Sequence, residues 1–265
     1  MNLAELALDL AEYAQGVEEY PVTTYNPATL SITSASLSGR TGEYGGGTLW
    51  FVDSNGVINA RIIKSASGSS LTIDSPFPIG ETINTILITP SMDFDLPALE
   101  SAINTVLTVY PIMGYDESLQ FHRDVHTYDL PEQVTNDIRR VEILQHVYNC
   151  QYYEISYYWK IDNRKLIIYG SPYRYEELAP IRISFVKPHG RKSIHEEIDP
   201  SVNKEYIRYM GYMNLYRNQI QKRHKDNPIA MDLFNESKNY EQQFFNRHIP
   251  EVYLLKRDMT IPYWE

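Results

Sequence analysis

The chain has 265 residues, 43% of them hydrophobic, enough for one large domain or two modest ones around an ordinary core. Its formal net charge of -10 argues against a sequence-reading nucleic-acid binder, because phosphate contacts need concentrated Lys and Arg. No stretch reaches the ~18 consecutive apolar residues of a membrane span, and Met1-Asn2-Leu3-Ala4-Glu5-Leu6 lacks the basic region and apolar run of a signal peptide, so the expectation is a chain made and kept in the cytoplasm, with no membrane partner.

Leu3, Leu6, Ala7, Leu10, Ala14 and Val17 recur at helical spacing and predict a helix from Asn2 to about Gln15, ended by Gly16 and Pro21. The residues from Thr24 to Pro90 read differently. Thr48-Leu49-Trp50-Phe51-Val52, Val57 to Ile63, Leu71 to Asp74 and Thr82 to Thr89 are short strand-like runs, separated by Asp53-Ser54-Asn55-Gly56 and Ala66-Ser67-Gly68-Ser69-Ser70. They predict a compact antiparallel barrel inserted into a helical domain.

Asp93 or Asp95 then caps a second helix that tolerates Pro97 in its first turn, repeats Leu99, Ala102, Ile103, Val106 and Tyr110 on one face, and stops at Pro111. The two helices, each with a single apolar face, are expected to pack together. From Gln120 the pattern becomes strand-like: Phe121 to Tyr128, an edge-like run Ile138 to His146, Tyr152 to Ile161, Lys165 to Tyr169, and the alternation Ile181, Ile183, Phe185. These predict an antiparallel sheet of four or five strands. Asp199-Pro200 is the expected start of a helix carrying Tyr206, Met210, Met213 and Ile220, and Asn227-Pro228 starts another through Met231, Phe234, Tyr240 and Phe244. The short Lys225-Asp226-Asn227 joint makes them an αα-hairpin, followed by an arm over 249–265.

The predicted fold class is therefore α+β: a core of residues 1–22 and 91–265, with a barrel module at 23–90 and a C-terminal helix pair bearing an extended arm. Charge is uneven along it. Met1 to Asp95 carries 11 acidic and 3 basic residues, whereas Arg191 to Glu265 carries 11 acidic and 12 basic, a polarity suited to head-to-tail association or simply to a solvated acidic surface. The 22 tyrosines, clustered at Tyr148, Tyr152, Tyr153, Tyr157, Tyr158, Tyr169, Tyr173 and Tyr175, fit half-buried strands singly and an interface as a set.

Motifs for chemistry are absent from the reading. Cys150, the only cysteine, has no internal disulfide partner and is expected to be a buried thiol. His122 and His126 are too far apart on a strand to share a zinc without other ligands, and His195-Glu196-Glu197 lacks the second histidine of a zincin motif. Gly68-Ser69-Ser70 is not a nucleophile elbow. Gly45-Gly46-Gly47 runs into a strand instead of a helix, so those glycines serve backbone geometry, not phosphate. Asp93/Asp95 and Glu176/Glu177 lie in loops where solvation explains them. The expectation is a protein with no catalytic, cofactor or metal residues. The arm, in contrast, is rich in large apolar side chains, and Val252, Tyr253, Leu254, Leu255, Ile261, Tyr263 and Trp264 either fold back or dock into a neighbour.

The parts come in a definite order, marked by Tyr44-Gly45-Gly46-Gly47-Thr48-Leu49-Trp50-Phe51, Leu71-Thr72-Ile73-Asp74, Pro76-Phe77-Pro78, Ala102-Ile103-Asn104, Tyr128-Asp129-Leu130-Pro131, the Trp159 strand and Pro188 ahead of a tyrosine-bearing helix. In that order and in those residues the chain resembles the head-to-tail adaptor, or neck, proteins of tailed bacteriophages. The resemblance implies a structural, non-enzymatic virion protein: a homo-oligomeric ring, commonly dodecameric, assembled in the host cytoplasm and fixed beneath the portal protein, with the tail or next neck protein below. Double-stranded DNA would slide through without sequence-specific binding, past an acidic wall that repels it. The arm becomes the candidate portal-docking or neighbour-docking element. A tail-completion or stopper protein of the same neck, and a glycan-binding β module from another class, are the alternatives.

Overall fold

The structure, a computed structural model, describes residues 1–37, 41–90, 94–147, 150–155, 159–169, 176–220 and 227–247. The chain is α+β, and the described residues form two units: Met1–Tyr110 with His189–Arg247, and Pro111–Pro188.

The first unit holds the helices. Helix α1 (Leu3–Gln15) begins where the Asn2 side chain accepts from the Glu5 N–H, and ends at Gly16, whose φ of 78° suits glycine. Its first free amides are also satisfied: Leu3 and Ala4 donate to the carbonyls of Glu196 and Ile194 at 3.2 and 2.9 Å. Helix α2 (Leu96–Leu107) is capped by Asp95, with Pro97 in the first turn. Both pack against each other and against α3 (Lys204–Leu215), burying Leu3, Leu6, Leu10, Leu99, Ile103, Ile207 and Met210. Gly211 of α3 makes close approach possible, since a Cβ there would sit 3.0 Å from a Leu10 methyl. Beside it, the Arg208 guanidinium grips Asp9 of α1 with two hydrogen bonds of 2.7 and 2.6 Å.

Helix α3 does not start at Asp199 as the sequence predicts. The Asp199 carboxylate accepts from the Ser201 N–H and hydroxyl, making a local turn, and Asn203 caps the helix by accepting from the Tyr206 N–H. After α3 comes a single π-helical turn, Tyr216–Ile220. Helix α4 (Pro228–Arg247) starts at Asn227, as expected, and lies against α3 and the π-helical turn through stacked rings: Tyr209 of α3 on Tyr240 at 4.2 Å and Tyr216 of the turn on Phe234 at 4.4 Å.

Between α1 and α2 the chain forms a curled antiparallel sheet of seven strands: β1 (Glu18–Pro21), β2 (Thr24–Asn26), β3 (Ser31–Thr33), β4 (Thr48–Val52), β5 (Ile58–Ser67), β6 (Ser70–Ile73) and β7 (Thr85–Thr89), in the order β1-β7-β4-β5-β6-β3-β2. The sheet starts at Glu18, ahead of the expected module boundary at 23. Its two edge strands are consecutive in the chain. Val22 and Thr23 link them, and their amides continue the pairing on opposite sides, to Asn84 O and Thr33 O, both at 2.8 Å. Ile32, Leu49, Phe51, Ile63, Leu71, Ile73, Phe77, Ile86 and Ile88 fill the interior. Strand β4 is buried on both faces: Leu49 and Phe51 belong to that interior, while Trp50 is also fully buried, between strands whose outer side meets α1.

The second unit pairs two antiparallel sheets where the sequence predicts one. Strands β8 (Pro111–Gln120), β10 (Ile138–Val147), β11 (Cys150–Ile155) and β14 (Pro180–Pro188) form the sheet β11-β10-β14-β8. Strands β9 (Thr127–Asp129), β12 (Trp159–Asp162) and β13 (Lys165–Ile168) form the sheet β12-β13-β9. A common core of Tyr128, Trp159, Leu166, Ile168, Val141, Ile143, Ile181, Ile183 and Phe185 joins them. The predicted strand Tyr152 to Ile161 is thereby divided between sheets. Ile138 to His146, expected at an edge, is interior because β11 and β14 pair on either side of it. Phe121 to Tyr128 is a strand only from Thr127; before it the chain turns around the Tyr128 hydroxyl, which takes the His122 N–H at 3.0 Å and donates to Val125 O at 2.9 Å.

Strand β8 has no counterpart in the sequence-based expectation. Its inward positions are Ile112, Gly114 and Asp116, so the apolar alternation that reveals a half-buried strand is missing. Gly114 fits there because Phe185 occupies the space, 2.8 Å from where a Cβ would stand. Asp116 is satisfied by the Ser118 N–H at 3.0 Å, the Ser118 hydroxyl at 2.7 Å and the Gln133 amide.

Candidate functional site

The residues singled out for docking, Val252, Tyr253, Leu254, Leu255, Ile261, Tyr263 and Trp264, lie outside the described residues, as does Asp93. The described part of the chain leads up to them through α4, which is tied to the other helices by hydroxyls. Tyr13 donates to Glu236 at 2.9 Å, and Tyr240 lies 3.4 Å from Glu205. Burial first, and then the Glu205 carboxylate, push the Tyr240 hydroxyl up to about 12, so these phenols stay protonated donors.

The sheet module places its conspicuous residues in structural work. In the glycine run Gly46 takes a φ of 83°, and the run brings the chain against β5 through Gly46 N to Ile63 O at 2.7 Å and Ile63 N to Gly47 O at 2.9 Å. Tyr44, which precedes it, is buried and donates to Glu18 at 2.6 Å; Tyr20 donates to the same carboxylate and lies 2.6 Å from the Tyr44 hydroxyl. Tyr25 accepts from the Phe77 N–H at 3.1 Å. The hydroxyls of Tyr20, Tyr25 and Tyr44 are thus engaged within the module.

At one end of the module two loops are pinned together. The Glu81 carboxylate accepts from the Ser54 N–H at 2.8 Å and the Ser54 hydroxyl at 2.7 Å, while Asp53 accepts from the amides of Asn55 and Val57, both at 2.9 Å. Those amides, with Val57 the stronger, lower the Asp53 carboxyl below its ordinary value. This held end carries three exposed aliphatic side chains, Val52, Val57 and the fully exposed Ile79.

The acids and histidines weighed for chemistry are spread among separate structural duties. Asp95 caps α2. Glu177 accepts from the Arg123 N–H, the main cause of its lowered pKa, and contacts His122 Nδ1 at 3.0 Å; His126 offers its carbonyl to Ile168 N. His195 and Glu196 belong to the loop that satisfies the start of α1, where burial lowers the His195 pKa and the Ser193 N–H lowers that of Glu196. His189 Nε2 accepts from the Asp199 N–H at 3.0 Å. Among the described residues no three or more His, Cys, Asp or Glu side chains converge to hold a metal ion, and no helix is long and apolar enough to cross a membrane. The Cys150 side chain is not among those described; its backbone lies at the start of β11.

What the structure adds to the sequence reading is strand β8. Among the described residues it stands at the end of its sheet and pairs with β14 alone, and it presents Tyr115 with 64% of its surface exposed. At the opposite end, β11 pairs with β10 alone among the described residues. No protein-family model matches the chain, and no curated protein matches it in sequence.

Proposed function

We propose that this chain is a structural connector of a tailed-bacteriophage neck: a head-to-tail adaptor that assembles as a ring under the portal, joins capsid to tail and lines the channel through which DNA leaves. The observation that carries this reading is the order of parts. A curled β module sits between two helices, α1 and α2, that pack together and against α3, so the module is inserted into a helical body, the arrangement on which the resemblance rests. The formal charge of -10 supports the channel role, because a net negative wall repels phosphate and lets a duplex slide. In this reading the inserted module is a contact element at the rim of the ring, and the arm over 249–265 is the portal-docking or neighbour-docking segment.

Native mass spectrometry of the purified chain and electron microscopy of assembled particles test it. The expected result is a cyclic oligomer located at the head-tail junction; a chain absent from particles would overturn the reading. Its position also separates an adaptor, in contact with the portal, from a stopper or tail-completion protein lower in the neck. Deleting Glu251 to Glu265 is expected to leave the melting temperature unchanged and abolish attachment of the ring to the particle. Unimpaired attachment would remove the docking role of the arm.

A further inference from the structure

The two ends of the four-stranded sheet invite a specific partner. A strand at a sheet edge leaves a row of N–H and C=O groups without ladder partners, and proteins ordinarily blunt such edges with Lys, Pro, bulges or a covering element. Neither β8 nor β11 contains a Lys or Arg. In β8, Pro111 stands at the first position and the register shift lies toward the far end, between the residues facing Ile183 and Ile181, which leaves Ile112 to Asp116 as a regular edge. Strand β11 pairs with β10 in unbroken register from Cys150 to Ile155. Among the described residues no other strand pairs with the outer side of either.

Direction decides what fits. All three pairings in the order β11-β10-β14-β8 are antiparallel, so the strands alternate and the two edge strands run opposite ways. With an even number of alternating strands, a second copy placed beside the first in the same orientation brings its β11 next to β8 in antiparallel sense, continuing the ladder without reversing the molecule. That is a heterologous contact, the kind that closes into a cyclic ring, whereas a two-fold contact would pair an edge with itself. Tyr115, exposed on β8, supplies an aromatic of the type enriched at such contacts.

We propose that β8 of one copy pairs with β11 of the next, so that the four-stranded sheets join edge to edge around the ring. This rests on the ring reading above and names the surface that makes it.

The sole cysteine supplies the test, because Cys150 is the first residue of β11. Cysteine is introduced singly at or just past the end of β8 that the sheet register brings level with Cys150, as Gln120→Cys or Arg123→Cys in the full-length chain, and each variant is oxidised after its far-UV spectrum and melting temperature are matched to wild type. Three inter-strand steps of about 4.8 Å put the introduced cysteine roughly 14 Å from Cys150 of the same chain, beyond the ~7 Å that a disulfide spans. The expected result is a non-reducing gel ladder of dimer, trimer and higher species in at least one variant, lost when Cys150→Ser is added, because only a β8-to-β11 contact lets every copy link on two sides. Dimers that persist in the Cys150→Ser background would show β8 meeting β8 and overturn the proposal. Absence of covalent species from a chain that native mass spectrometry finds as a ring would overturn it too, leaving the ring reading intact; residues 248–265 seated on β8 would produce that outcome. A ladder from a chain that is not found at the head-tail junction would uphold the edge pairing while removing the neck role.

Discussion

The two large sheets of this protein solve the same problem in different ways. In the curled sheet of the first unit, β1 and β2 are neighbours in the chain, so its edges end on one continuous segment, with Val22 and Thr23 bonded to either side. In the second unit the sheet β11-β10-β14-β8 ends in two strands far apart in sequence, and nothing in the described chain joins them. A sheet that uses its own chain to link its edges needs no partner for them, whereas an open sheet keeps two ladders available for other molecules. Strand parity then makes those ladders suited to a repeating contact.

The difference extends to the residues inside. Strand β4 is covered on both sides, so Trp50→Ala is expected to cost about 3–5 kcal/mol, the range for truncating a large buried aromatic. Urea denaturation followed by circular dichroism measures it, and a loss below about 1 kcal/mol would break the claim that the curled sheet is buried on its outer side at this point. Glycine has a different task in each sheet. Gly114→Ala forces a Cβ to within 2.8 Å of the Phe185 ring and is expected to lose about 1–3 kcal/mol through overpacking. Gly46→Ala meets its cost in the backbone, at a φ of 83°, and should lose about 1–2 kcal/mol. Adding Phe185→Leu to each variant separates the causes: it should recover part of the loss at Gly114 and none at Gly46.

Smaller effects probe the ends. Glu81→Ala removes the two bonds to Ser54 and is expected to lower stability by about 1 kcal/mol or less, because the pin is exposed. Faster hydrogen exchange at Ser54 should accompany it, with β8 unchanged. A pH effect is expected on the alkaline side. Burial, followed by the hydrogen bond to Glu18, raises the Tyr44 hydroxyl well above its ordinary value. An unfolded tyrosine ionises near pH 10, so the folded chain binds its proton more tightly, and stability present below about pH 10 declines as the pH rises further. Melting temperatures across that range should fall less steeply in Tyr44→Phe, and equal slopes would count against the Tyr44–Glu18 contact.

Much of the helical architecture was legible in the residues. The apolar stripe of Leu3, Leu6 and Leu10 and the Asp95-Leu96-Pro97 start depend on local periodicity and capping, which operate within a few residues. The Asp199-Pro200 signal misled because an aspartate can close its own turn as readily as it can cap a helix, and Ser201 was present to complete that turn. The four strands Thr48 to Thr89 were legible from their turns, while β1, β2 and β3 were too short to show a pattern. Strand β8 was hidden because Gly114 and Asp116 occupy inward positions, and their suitability depends on Phe185, Ser118 and Gln133.

The sequence by itself determined the mixed class, the insertion of a β module between paired helices, and the acidic balance, since each follows from composition or from spacing within one segment. Only the tertiary structure decided which strands share a sheet, which of them stand at its edges, and that β8 exists at all. Strand pairing joins residues distant in the chain, and whether an inward glycine or aspartate is tolerated depends on the side chains that another strand brings to it.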